Sequence, residues 1–498
     1  MQLFFFITTL AFLALVPAVE GLAKQFPSLA AASAAAAKDP HQSAEPVPAS
    51  LPAEAVADVA LAPALHPPNH EITAATNVST ASSNETAGPL VTIPLDKQYV
   101  PVVRNNKIVS YKTAYFGRVF LGSPQQQNFT VVFDTGSGHL FLPSSRCVAE
   151  TCLKHNRYNR SASTSAMDLN HEGQEVAPNS RIRDQVNIAY GTGEVTGEFV
   201  RETICLQDHS DQIDSIASSP KCVRLRVITA TQLTKEPFNT FKFDGVLGLG
   251  LDSLAVDPEF SFFGQFAKMN KFAEDSFGYF LSRTDAIASE ISFGGHDSRR
   301  MSSNLQWVPV HKPELGFWQM KVKSVSVAGE SIALCTDGDC VAIADTGTSL
   351  IGAPRPATQR LHWLLARKVP DDPAEIDCRT FPGPDLIFEL EGGINITVGP
   401  EDYSRATAMR VLQTKTNSTQ VICRASLLPV DGDEVLGPKA WILGEPVLRK
   451  YYTAYDWKRQ QVGFALAKQP EIEAEPHQVH SVYDPPPPEL PTPTQVVV

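Results

Sequence analysis

The sequence carries one four-residue device twice. Asp134-Thr135-Gly136-Ser137 closes the apolar stretch Asn128-Phe129-Thr130-Val131-Val132-Phe133, and Asp345-Thr346-Gly347-Thr348 closes Val341-Ala342-Ile343-Ala344. Each is followed further along by apolar residues and a glycine, Val246-Leu247-Gly248 in the first half and Ile442-Leu443-Gly444 in the second. Two related halves in one chain would bring two such loops face to face, each giving one carboxylate to a shared cleft. A single Asp-Thr-Gly is ordinary turn chemistry. Two copies, each on an apolar strand and each completed by a hydroxyl residue, constrain the whole fold. The glycine permits a tight turn and close approach of a neighbouring backbone. The hydroxyls of Thr135 and Thr346 are expected to donate to backbone across the junction, and those of Ser137 and Thr348 to bond the outer carboxylate oxygens.

Two acids a few Å apart cannot both ionise cheaply, so they share a proton and titrate as a unit. That state suits amide hydrolysis without a covalent intermediate. The ionised partner takes a proton from water, while the protonated one polarises the scissile carbonyl and later helps protonate the amine. Asp134 and Asp345 are therefore the expected catalytic pair, and the chemistry needs neither a metal nor a cofactor.

The rest of the chain bounds where this device works. Short alternating stretches rich in β-branched and aromatic residues recur between Gly, Pro, Asn and Asp, for example at Gln319-Met320-Lys321-Val322-Lys323-Ser324-Val325 and Gln461-Val462-Gly463-Phe464-Ala465-Leu466. They predict a mostly β protein, with helices only at residues 256–270 and 357–368. The formal charge of -12 argues against a nucleic-acid partner, which is held by clustered Lys and Arg. Residues 3–19 form an apolar run followed by small residues, read as a signal peptide over 1–21; an uncleaved signal anchor is the competing reading. Residues 22–90, dominated by Ala, Pro and Ser, are expected to be disordered or a pro-region, and 469–498 an acidic, Pro-rich disordered tail. Between them, 91–300 and 301–468 are the expected N-terminal and C-terminal lobes. Eight cysteines fit an oxidising compartment, and their pairing is left open among on the order of a hundred connectivities. Sequons stand at Asn77, Asn84, Asn128, Asn159, Asn395 and Asn417, glycosylation candidates if the chain enters the secretory route.

Several further motifs make the resemblance to the pepsin and cathepsin D family of aspartic proteases plain. Tyr115-Phe116-Gly117 resembles the family's first mature strand, and Ala189-Tyr190-Gly191-Thr192-Gly193 its flap, a hairpin that folds over bound peptide. Phe243-Asp244-Gly245-Val246-Leu247-Gly248-Leu249-Gly250 and Trp441-Ile442-Leu443-Gly444 resemble the segments behind each catalytic loop, while Leu305-Gln306-Trp307-Val308-Pro309-Val310 and Phe317-Trp318-Gln319 match the opening of the second lobe. The resemblance spans roughly residues 115–467. It implies a bilobal, mostly β fold with a deep central cleft, and an endopeptidase that binds peptide or protein substrates in extended form. It implies that Tyr190, Gly191 and Thr192 close over substrate, that Val132, Tyr190, Phe243 and Val246 line the subsite before the cut, and that Ile343 lines the one after. Bulky apolar residues are then expected to flank the bond, with activity at acid pH. It implies disulfides Cys147–Cys152, Cys335–Cys340 and Cys378–Cys423; Cys205–Cys222 would be an addition bridging a first-lobe insertion. A zymogen, a monomer and a secreted or lysosome-like setting are the corresponding expectations.

Departures from the family pattern raise their own expectations. Phe141 stands where a Trp usually hydrogen-bonds the flap Tyr, so flap support must differ. His139 would either bring a pH-dependent charge near the site or be a partly exposed polar residue. Glu194, after the flap turn, would favour basic side chains in substrate or be an ordinary surface charge. Val91-Thr92-Ile93-Pro94-Leu95 resembles the opening strand of a pro-segment, with Lys97, Arg104 and Lys107 as candidates to pair with the acids.

Overall fold

Residues that alternate in polarity over short runs fold here as strands with one face on a shared core. The computed structural model describes residues 90–470, apart from 105–106, 179, 181, 191–192, 209–218, 271, 370–375, 414–417 and 433–435. The leader, almost all of the Ala/Pro/Ser-rich region and the tail past residue 470 lie outside the described residues. So do Gly191, Thr192, Asn77, Asn84 and Asn417. No helix among the described residues is long and apolar enough to cross a membrane.

The fold is mostly β. Among the described residues, one sheet of fourteen strands and a second of eight carry the strands that enter the two Asp-Thr-Gly turns, and a third of three is separate from them. The Asp-Thr-Gly turns sit in the same local weave in both halves. In the first, Gln127–Asp134 runs parallel to Gly245–Gly248, with Asp134 opposite Gly248, and Leu140–Pro143 returns antiparallel on the other side of that short strand. In the second, Val341–Ala344 runs parallel to Ala440–Leu443, and Ile351–Pro354 returns antiparallel beside it. The internal repeat of the sequence is thus a repeat of pairing: a short strand that ends in, or is followed by, a glycine is clamped between the strand entering each Asp and the strand leaving its turn. Gly245 and Gly248 must be side-chain-free, because a Cβ at either would strike backbone of Phe141 or His139.

The large sheet mixes the halves. Ser276–Phe280 lies between Ser289–Phe293 and Tyr451–Asp456, and Val91–Leu95 pairs with Ser289–Phe293. The strand beginning at Val91 buries Val91, Ile93 and Leu95 in the main core and continues from Asp96 into a hairpin with Lys107–Leu121. Lys97 on that strand places its ammonium on Asp285 at 3.4 Å rather than on the acid pair. Burial of the lysine stem leaves the head free to reach a surface carboxylate.

Both predicted helices exist, shorter than their sequence ranges. Asp257 caps a single 3₁₀ turn, Pro258–Phe260, and Ser261 then caps Phe262–Lys268 by accepting the Gly264 N–H. The segment 256–270 is therefore broken by a second cap. Arg355–Leu364 begins two residues before the expected 357, because Pro356 falls in the first turn, where its missing N–H costs nothing. All four cysteine pairs are disulfides, including Cys205–Cys222, which joins the antiparallel strands Gly193–Cys205 and Cys222–Leu233.

The hairpin is fastened to the second half by a buried bond from the Tyr115 hydroxyl to Glu445 Oε1 at 2.7 Å. Removing one partner of a buried, charge-assisted bond leaves the carboxylate short of a donor. Tyr115→Phe is expected to lower the unfolding free energy by about 1–3 kcal/mol, measured by urea unfolding.

Candidate active site

The two Asp-Thr-Gly turns meet through their threonines. The Thr135 hydroxyl donates to Ala344 O at 2.9 Å, and the Thr346 hydroxyl donates to Phe133 O at 2.7 Å. Each hydroxyl oxygen also accepts the other's backbone N–H, at 3.0 and 3.1 Å. Every donor and acceptor at this buried junction is thereby used in a near-symmetric square. Tyr279 adds a bond from its hydroxyl to Phe133 O at 2.8 Å, and Trp318 bonds Leu249 O at 2.8 Å.

Above this square the carboxylates of Asp134 and Asp345 stand side by side, the Oδ1 atoms of both lying within 3.2 Å of where a Cβ on Gly136 would be. Both are almost wholly buried. Oδ1 of each accepts the N–H of the glycine two residues on, Gly136 or Gly347, at 2.9 Å. The glycines are obligatory for a second reason. A Cβ on Gly136 would lie 2.7 Å from Asp345 Oδ1, and one on Gly347 would strike Asp134 Oδ1. Thr348 donates to Asp345 Oδ2 at 2.5 Å, as its position suggests. Burial first, then the charge of Asp134, holds Asp345 well above the usual carboxylate range. The pair is therefore built to keep one proton between its two carboxylates.

The other outer oxygen is held differently from expectation. The Tyr190 hydroxyl donates to Asp134 Oδ2 at 2.6 Å, so Ser137, 2.6 Å from the same hydroxyl, donates to Tyr190. Ser137 thus reaches Asp134 through Tyr190. Burial and the adjacent Asp134 charge raise the Tyr190 phenol far above its ordinary value, so it stays a donor. Phe141 offers its ring edge-on to Tyr190, with centroids 5.2 Å apart. With no polar atom on Phe141 to hold the hydroxyl, it turns to the acid beneath.

Val132, Tyr190, Phe243 and Val246 come together in one apolar cluster with Phe116, Phe141 and Phe238. Phe243 stacks on Phe241 at 4.4 Å and packs against Phe116 at 5.7 Å. Ile343 is not part of this group. It is fully buried in a separate cluster with Phe317 and Leu254. Phe238 and Phe241 were missed in the sequence, where two aromatics after a proline carry no signal beyond turn chemistry. Missed as well was Ser349, which accepts the Thr113 N–H at 3.2 Å and donates to its carbonyl at 2.8 Å, tying the hairpin to the second catalytic turn. His139 is buried rather than partly exposed, and Glu194 is exposed beside the described part of the hairpin.

Residues 114–467 match the family model described as eukaryotic aspartyl protease. Among similar proteins, cathepsin E of Rattus norvegicus is 32% identical over 369 residues, covering 73% of this chain and 82% of the relative. Pepsin A of Bos taurus is 32% identical over 357 residues, covering 71% and 84%. Renin of Rattus norvegicus is 32% identical over 373 residues, covering 74% and 82%.

The Thr348 hydroxyl bond favours the ionised form of Asp345 and so lowers its affinity for the proton. Thr348→Val is expected to strengthen proton retention. The alkaline limb of the pH–activity profile, where the shared proton is lost, should move to higher pH. Steady-state hydrolysis of a quenched peptide across pH checks the direction.

Proposed function

Because this chain belongs to the eukaryotic aspartyl protease family and is an aspartic endopeptidase, we propose that Asp134 and Asp345 are its catalytic pair. What supports this is the close approach of two buried carboxylates, each fixed by a glycine N–H. Asp134, as carboxylate, takes a proton from a water whose oxygen adds to the scissile carbonyl carbon. The carbonyl oxygen takes the proton of Asp345 in the same step, giving a neutral gem-diol. In the return step a diol hydroxyl gives its proton back to Asp345, and Asp134 passes its proton to the amide nitrogen. The C–N bond breaks, yielding acid and amine with the pair restored. The two threonine-linked turns supply positioning, so little reorganisation accompanies the charge shift.

The reading extends to substrate. Tyr190 occupies the oxygen of Asp134 that water must approach, so the hairpin lifts as a peptide enters, and Tyr190, Gly191 and Thr192 then close over it. The apolar wall of Val132, Phe243 and Val246 favours a bulky apolar side chain before the cut, with Ile343 behind the position after it. Activity on the acid side of neutrality is taken from the family to which the chain belongs. We take the working unit as one chain of two lobes, 91–300 and 301–468. The leader at 1–21 and four disulfides support synthesis along the secretory route. Of the sequons, Asn128, Asn159 and Asn395 are exposed and open to glycosylation.

The deciding experiment is cleavage of a quenched apolar peptide from about pH 3 to 7 by the wild-type chain, Asp134→Asn and Asp345→Asn, with and without pepstatin. Acid-favoured activity is expected for wild type, with a loss of at least about 10⁴-fold in each variant and full inhibition by pepstatin. Activity surviving in either variant would remove that residue from the mechanism. Sequencing the products of a mixed peptide library should show bulky apolar residues on both sides of the cut, and small or charged residues there would overturn the substrate reading.

A further inference from the structure

His139 follows the first catalytic turn, two residues past Ser137, and is only 5% exposed. Its Nε2 accepts the backbone N–H of Val256 at 2.9 Å. The accepting nitrogen carries no proton, so the neutral ring is protonated on Nδ1. The ring stands edge-on to Phe260, centroids 5.2 Å apart. Burial lowers its pKa to about 4 from the ordinary value near 6.5.

The segment that His139 holds matters to the site. A Cβ at Gly138 would meet Leu254 C at 2.6 Å and Ala255 N at 2.7 Å, so 254–255 lies backbone against backbone on the catalytic turn. Leu254 packs with Ile343 and Phe317, and Ala255 packs with Tyr190 and Phe243. Leu254 and Ala255 therefore belong to two different apolar clusters, one of which holds Tyr190. The opposite flank of the turn is fixed by backbone bonds, Leu249 N–H to Asp134 O, Gly250 N–H to Ser137 O and Gly248 N–H to His139 O, at 2.7 to 2.9 Å. These do not titrate, whereas the bond from Val256 ends on a ring that does.

We propose that His139 is a positioning residue for Asp134, whose protonation releases residues 254–256 from the catalytic turn and so sets a lower pH limit on activity. A proton on Nε2 turns an acceptor into a second donor facing the Val256 N–H, and buries a cation as well. The charged groups on the surrounding elements have their own partners. Asp134 is in the dyad, Asp252 pairs with Lys268, Asp257 with Arg226, and Glu259 with Arg201 and Arg226. Arg226 lies over Phe260, 4.6 Å from its centroid, adding positive charge on that side. Between pH about 6.5 and 4 the unfolded chain binds a proton at this histidine that the native chain does not, so stability falls as pH drops through that window and levels off below it. His139 thus limits the working range from below, which suits mildly acid surroundings rather than strongly acid ones. The inference rests on the proposed roles of Asp134 and Asp345.

The test compares full-length wild type, His139→Gln and His139→Leu. Gln offers a non-titrating oxygen to Val256, and Leu offers nothing. For wild type, kcat/KM on a quenched peptide should fall about tenfold per unit below about pH 4. His139→Gln should move this acid limb down by about one unit or more, while His139→Leu should be impaired at every pH. Coincident acid limbs for wild type and His139→Gln would overturn the proposal. Thermal unfolding across the same pH range reads the proposal without activity: the wild-type midpoint should drop between pH about 6.5 and 4 more than that of His139→Gln, and parallel curves would overturn it. Should His139→Gln not fold, ¹⁵N-histidine NMR of wild type decides. An unprotonated Nε2 down to about pH 4 supports the role, and an Nε2–H at pH 6 refutes it. Absence of peptide cleavage by wild type would instead count against the proposed dyad, with the unfolding and NMR arms still deciding the role of His139.

Discussion

Everything in the site depends on the reciprocal bonds of Thr135 and Thr346. They join turns that are 211 residues apart in the chain, and no other arrangement would leave the two carboxylates in contact yet supported. Each hydroxyl serves as donor and acceptor at once, so loss of either would strand buried groups in both halves. The carboxylates themselves repel when both are ionised, and so cannot be what holds the turns together. Neutral hydrogen bonds beneath them carry that task, which frees the acids to exchange protons without loosening the frame.

Around this square the two halves diverge. The outer oxygen of Asp345 is bonded by Thr348 in its own turn, whereas that of Asp134 is bonded by a residue from a distant hairpin, Tyr190. One side of the pair is thus furnished from within its own turn and the other from a separate hairpin. The difference arises from a packing choice: an aromatic without polar atoms at Phe141 gives the Tyr190 ring a surface but gives its hydroxyl nothing.

How much of this was legible follows from whether the cause was local. The turns, the strands entering them and the glycines were readable, because turn chemistry and apolar alternation act over a few residues. The bonds of Thr135, Thr346 and Thr348 followed once two copies were placed face to face. The direction of the Tyr190 hydroxyl did not, because it depends on what Phe141 lacks, and Phe141 is 49 residues away. His139 looked like a surface polar residue by type. Its burial comes from a segment more than a hundred residues later that folds across Gly138. Lys97 was a candidate to meet the acids by charge alone, yet strand pairing carried it towards Asp285. Ile343, next to Ala344 on the strand entering Asp345, was assigned by resemblance to the subsite after the cut, and its burial with Phe317 and Leu254 depends on segments far away in the chain.

The strand Ser276–Phe280 of the first half lies directly against Tyr451–Asp456, which pairs in turn with Gln461–Leu466 near the end of the described chain. During synthesis the amino-terminal half emerges with that edge unpaired and with Phe277 and Tyr279 lacking part of their cover. An unpaired apolar edge is a place where chains stick to one another. The strands that cover the first half and the second acid of the proposed pair are made late, so a partly made chain is incomplete in its core and, on the proposed mechanism, incapable of the reaction. The order of the residues itself delays a destructive activity until the molecule that contains it is whole.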